Sequence, residues 1–196
     1  PSYKYQGVKN LMPVTINGDG SITGLSVGGL PNGTVDADTL ASNAVTSAKL
    51  PAGSIVKYQF TTSSTQTNIT STTTWTTFTG TQVDFTPTFS NSQLDITWSF
   101  ALEANQNANG IGFRIFRQSP IGGSDTQIAE SYQHSHWGTG NWTGPGDIVL
   151  NWNDAPGVTT PVRYFVQGYR ETGNALYINA GQDPLGITMR VMEIKV

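Results

Sequence analysis

Nine consecutive residues, Leu94-Asp-Ile-Thr-Trp-Ser-Phe-Ala-Leu102, alternate large apolar side chains with small or polar ones without a break. A period of two puts Leu94, Ile96, Trp98, Phe100 and Leu102 on one face of an extended strand. A helix would scatter those five side chains around its circumference, so the segment calls for a sheet with one buried face and a second apolar layer opposite it.

Shorter stretches of the same kind lie at 54–62, 75–79, 82–86, 111–118, 126–132, 147–152, 162–170, 175–180 and 187–196. Turn-forming residues separate them, among them Thr86-Pro-Thr, Asn107-Ala-Asn-Gly, Ile121-Gly-Gly-Ser, Gly144-Pro-Gly and Glu171-Thr-Gly-Asn. About ten strands with no helical segment between them predict an all-β chain, a β-sandwich or jelly roll of antiparallel strands. In the strand at 147–152 Trp152 alternates with Leu150, which places Trp152 on the core side.

The last strand, Ile187-Thr-Met-Arg-Val-Met-Glu-Ile-Lys-Val196, breaks the simple pattern. Ile187, Met189 and Val191 fall on one face, Met192, Ile194 and Val196 on the other. Either a bulge shifts the register or both faces are covered, as they would be near an oligomer axis.

The first 53 residues are different in kind. Their only aromatics are Tyr3 and Tyr5, while every Trp and Phe lies beyond them. Two units, Gly33-Thr-Val-Asp-Ala-Asp-Thr-Leu-Ala-Ser and Asn43-Ala-Val-Thr-Ser-Ala-Lys-Leu-Pro-Ala, repeat with Val35 matching Val45 and Leu40 matching Leu50. A unit with two apolar residues cannot bury its own surface, so it calls for neighbouring units or neighbouring chains. Upstream, Asn17-Gly18 and Asp19-Gly20 mark tight turns between brief strands.

Cysteine is absent, which removes disulfides, Cys-ligated zinc and thiol nucleophiles, and leaves stability to packing or assembly. The net charge of −3 provides no basic footprint for nucleic acid or an anionic membrane. No apolar run approaches the ~20 residues of a membrane-spanning helix, and the N-terminal residues lack the apolar core of a signal peptide. Neither a nucleic-acid partner nor membrane insertion is expected.

The segment from Ile22-Thr-Gly-Leu-Ser-Val-Gly-Gly-Leu-Pro to Asn43-Ala-Val-Thr-Ser-Ala-Lys-Leu resembles the shaft or collar of bacteriophage fibre proteins, particularly those of marine phages. Val162-Arg-Tyr-Phe-Val-Gln, Leu176-Tyr-Ile-Asn and Ile187-Thr-Met-Arg-Val-Met-Glu-Ile resemble the C-terminal heads of the same proteins. The resemblance implies a homotrimer in the virion. Residues 1–15 would dock to other virion proteins, 16–53 would form an intertwined stem, and 54–196 a jelly-roll head similar to the C1q and tumour-necrosis-factor type. Its function would be attachment to a host cell-surface glycan or protein. A capsid decoration or head-fibre protein that stabilises the particle without a receptor is the alternative, and a secreted carbohydrate-active module, which would be monomeric, is a third.

Trp137 and Trp142 sit among Gly and Asn, with Asn141 between them. An exposed indole stacks on the apolar face of a pyranose while an amide takes its hydroxyls, so Trp137, Asn141 and Trp142 are candidate glycan contacts; packing between subunits is the other use of such rings. His134 and His136 alternate on an extended segment and would point the same way. A three-fold axis would bring six imidazoles together, a set suited to a transition metal, and the resemblance adds that some phage spike and fibre tips use such a motif for iron. An exposed polar loop is the plainer reading, and no cofactor is otherwise expected.

No nucleophile elbow or phosphate loop is present, and the carboxylates Asp84, Asp95, Glu103, Glu130, Asp147 and Asp154 are scattered. The chain is therefore not expected to be an enzyme. Glu103, Arg114, Arg117, Arg163 and Arg170 read as ion-pairing residues.

Overall fold

A computed structural model describes residues 15–16, 22–23, 42, 44–70, 74–104, 109–133, 146–172, 176–178 and 186–196. By contacts the chain divides into two units, Pro1–Thr46 and Ser47–Val196. In the first, β1 (Thr15–Ile16) and β2 (Ile22–Thr23) pair antiparallel with Ile16 opposite Ile22, so brief strands flank the Asn-Gly and Asp-Gly residues.

The second unit is an all-β sandwich. Its strands are β3 (Ile55–Ser63), β4 (Thr67–Ile69), β5 (Thr76–Thr77), β6 (Val83–Phe85), β7 (Gln93–Ala104), β8 (Asn109–Gln118), β9 (Asp125–Gln133), β10 (Gly146–Asp154), β11 (Val162–Thr172), β12 (Leu176–Ile178) and β13 (Ile187–Ile194). One sheet runs β3-β13-β7-β10, with β12 and β4 continuing it beside the far half of β7. The other runs β9-β8-β11, with β5 and β6 along the outer side of β11. All these pairs are antiparallel, and the chain crosses repeatedly between layers, which is the jelly-roll arrangement. Each of the ten stretches expected to be strands contains one; β4, a Thr-rich run with one apolar residue, is additional.

The core follows from the alternation. Leu94, Ile96, Trp98 and Phe100 of β7 are all but fully buried, as are Ile187, Met189 and Val191 of β13 and Val162, Tyr164 and Val166 of β11. Phe78, Phe100 and Phe113 meet edge to face, with centroids 5.7 to 6.3 Å apart. Phe78 has room only because residue 168 is glycine: a Cβ there would stand 2.3 Å from its ring.

Thr81, in a short 3-10 turn between β5 and β6, ties the two layers together. Its carbonyl accepts the Trp98 indole N–H at 2.9 Å from one sheet, and its hydroxyl oxygen accepts the Val166 amide at 2.9 Å from the other.

Trp152 departs from expectation. Its register opposite Ile96 keeps it on the row of Leu150, but β10 is a sheet edge, and Trp152 is 40% exposed where Leu150 is 7%. The periodicity set the row; the end of the sheet left that row uncovered.

Candidate functional site

One end of the sandwich is where the chain enters it. The Lys195 ammonium donates to the carbonyls of Ala48 and Leu50, both at 2.6 Å, and Lys195 exchanges backbone hydrogen bonds with Gly53 and Ser54. The final strand therefore clasps residues 47–54. Beside the clasp, Glu193 is fully buried. Its carboxylate accepts from the Thr88 amide (2.6 Å) and hydroxyl (2.8 Å), the Phe89 amide (3.1 Å) and the Ser92 hydroxyl (2.6 Å). Burial pushes this carboxyl up, but the hydrogen bonds from Ser92, Thr88 and Phe89 together outweigh it and hold Glu193 below its ordinary value. Glu193 shares a face with Ile187, Met189 and Val191, a placement the alternation of the last strand already contains.

Strand direction then fixes the opposite end. From the clasp β7 runs away, β8 returns, and β9 runs away again to Gln133, paired with Ile111; β10 begins at Gly146, paired with Leu102, and comes back to Asp154 opposite Leu94. Gln133 and Gly146, which bracket residues 134–145, thus lie at the end away from Lys195. The candidate residues His134, His136, Trp137, Asn141 and Trp142 all fall outside the described residues.

The outer face of the β3-β13-β7-β10 sheet carries two characters side by side. Register gives one row Phe60, Arg190, Thr97, Asn151 and the next Tyr58, Met192, Asp95, Asn153. A register shift between Glu193 and Ile194 brings Ile194 opposite Ile55, which adds Ile55 to the same face. Along β3, Ile55, Tyr58 and Phe60 are each 56% exposed. A register shift exists, and Met192 and Ile194 face outward beside apolar neighbours that stay exposed among the described residues. The apolar row on β3 was not singled out in the sequence, because the bulge hides its phase.

The charged residues resolve mostly into pairs. Arg163 holds Asp84 through two hydrogen bonds, at 2.6 and 2.8 Å, and Arg114 lies 3.3 Å from Glu130. Arg117 donates to both oxygens of Asp154, which also accepts the Tyr164 hydroxyl at 2.7 Å. Burial, and then the Asp154 carboxylate holding its proton, push the Tyr164 phenol well above its ordinary value. Arg170 donates to the Thr70 carbonyl. Asp95 stands apart from these pairs. Among the described residues no three His, Asp or Glu side chains converge as a metal site would require.

No family model matches the chain, and no curated protein matches it. Among solved structures, the infectious bursal disease virus VP2 subviral particle overlaps 71% of this chain and 37% of its own, at 13% identity and a TM-score of 0.38. The T=1 particles derived from the same virus overlap 71% and 36% at 10% identity and a TM-score of 0.40. Eiger TNF from S. frugiperda overlaps 66% and 91% at 8% identity and a TM-score of 0.36. The chain thus spans little more than a third of the viral particle proteins it overlaps.

Proposed function

We propose that this chain is a fibre-like virion protein of a bacteriophage, a homotrimer that attaches the particle to the host surface through its jelly-roll head. The observation that carries the reading is the apolar strip of Ile55, Tyr58 and Phe60, flanked by Met192 and Ile194, on an otherwise completed sandwich. A clustered strip of this kind is uncommon on a protein that stays monomeric and is accounted for by a second copy covering it. The repeat in the first 53 residues adds to it: Val45 is 61% exposed, as a unit too small to bury its own apolar surface should be. In this reading residues 1–15 engage other virion proteins, 16–53 form the stem, and 134–145 face the host.

Light scattering on the intact chain is expected to report three times 21.0 kDa, and Tyr58→Ser with Phe60→Ser is expected to shift the population towards 21.0 kDa. A wild type at 21.0 kDa would discard the trimer. An unchanged oligomer in the double variant would discard this face as its seam.

Attachment is tested separately. Purified protein incubated with host cells should reduce adsorption of the phage that carries it, and Trp137→Ala or Trp142→Ala should weaken that competition by about tenfold, in keeping with the loss of one buried aromatic contact. Absence of competition by the wild type would instead assign a decoration role on the capsid.

A further inference from the structure

The polar half of the same face holds a groove of about 610 Å³ lined by Asp95, Asn151, Trp152, Asn153 and Arg190. The volume lies in the range of small-molecule sites, about 300–1,000 Å³. Its carboxylate, Asp95, is unusual for its lack of a partner. Elsewhere in the sandwich Asp84, Glu130 and Asp154 are each held by an arginine. Among the described residues the side chains of Asp95, Asn151 and Asn153 have no hydrogen bond or ion pair.

Arg190 and Asp95 are diagonal neighbours on adjacent strands, within reach for long side chains. They do not pair. Arg190 donates instead to the Thr97 hydroxyl at 3.0 Å, and its Nε is buried without a partner. The guanidinium is thus held at Thr97 while the Asp95 carboxylate stays unpaired. The floor keeps both unspent donors and unspent acceptors, with opposite charges that cancel. Trp152, between Asn151 and Asn153 at the sheet edge, borders the groove, with its side chain on the opposite, core-side row of β10.

We propose that this groove binds an uncharged pyranose unit. A sugar presents alternating hydroxyl donors and acceptors to Asp95, Asn151, Asn153 and Arg190. An acidic sugar would gain at Arg190 and lose at Asp95, so a neutral one fits the balance. The groove lies towards β10 on this face and the apolar strip towards β3. The inference goes beyond the attachment reading and stands whether or not residues 134–145 contact a host.

The test is saturation-transfer NMR on the full chain with the methyl pyranosides of glucose, galactose, mannose and N-acetylglucosamine. At least one is expected to bind with a millimolar Kd, and Asp95→Ala and Asn153→Ala are each expected to weaken it by about tenfold, as removal of a hydrogen bond to a charged or well-placed group does. Trp137→Ala should leave this binding unchanged, which separates the groove from residues 134–145. Circular dichroism checks that the outward-facing variants keep the fold. No transfer to any of the four sugars would overturn the proposal, as would binding that survives both groove variants, or stronger binding of N-acetylneuraminic acid. A change of oligomeric mass in Asp95→Ala without change in sugar binding would overturn it too, because the groove would then be an interface.

Discussion

Trp98→Ala is expected to lower the unfolding free energy by about 5 kcal/mol, the upper part of the range for deleting a buried aromatic. Trp98 is fully buried, and its indole N–H is the donor that satisfies the Thr81 carbonyl. Alanine leaves both a cavity and an unpaired carbonyl, and the second alone costs about 1–3 kcal/mol. Because Thr81 also takes the Val166 amide, the lesion falls where the two sheets are joined. Trp98→Phe refills most of the volume but not the hydrogen bond, so its loss should be smaller, about 2–3 kcal/mol. Urea unfolding at one fixed protomer concentration measures both, since association would otherwise move the midpoint. Equal losses for the two variants would mean that the cavity contributes nothing; a loss under about 1 kcal/mol for Trp98→Phe would mean that the Thr81 carbonyl finds another donor.

The second large effect is expected at Glu193. Replacing it by alanine strands two backbone amides and two hydroxyls in a dry site, for a loss of about 3 kcal/mol. Its pH dependence has a definite sign. The folded carboxyl titrates below the ordinary 4.5, so the stabilisation is complete above that value and is lost as pH falls through the lower, folded value. Glu193→Gln cannot ionise and turns an NH2 group towards donors, so it should be destabilised at neutral pH. Unfolding curves from pH 7 down to pH 3 should show the difference between wild type and Glu193→Gln shrinking with acid. A gap that stays constant across that range would show that ionisation of Glu193 contributes nothing to folding.

The two positions differ in how far the sequence exposes them. Trp98 belongs to an unbroken alternation, so its burial is legible at sight. Glu193 is equally on the core row of its strand, yet a carboxylate there is a prediction only once its donors are known, and Thr88, Phe89 and Ser92 lie about a hundred residues earlier in the chain. Trp152 shows the opposite failure: its row was legible and its exposure was not, because exposure depends on β10 being the last strand of its sheet. The groove was illegible for the same reason. Asp95, Asn153 and Arg190 come from three strands, and only their register sets them side by side. The candidate residues at 134–142 rest on local sequence alone; what the fold adds is the end of the sandwich at which their flanking strands stop.

The sequence by itself determined the class of fold, the rows of the core and the contrast between an aromatic-rich sandwich and the aromatic-poor first 53 residues, because a period of two and local composition are properties of neighbouring residues. Tertiary structure alone decided which strand became the uncovered edge, which outward row was apolar, where the free polar groups gathered, and which end of the sandwich lies away from the clasp at Lys195. Each of these depends on pairing between segments far apart in the chain, where the free energy comes from contacts that local pattern does not encode.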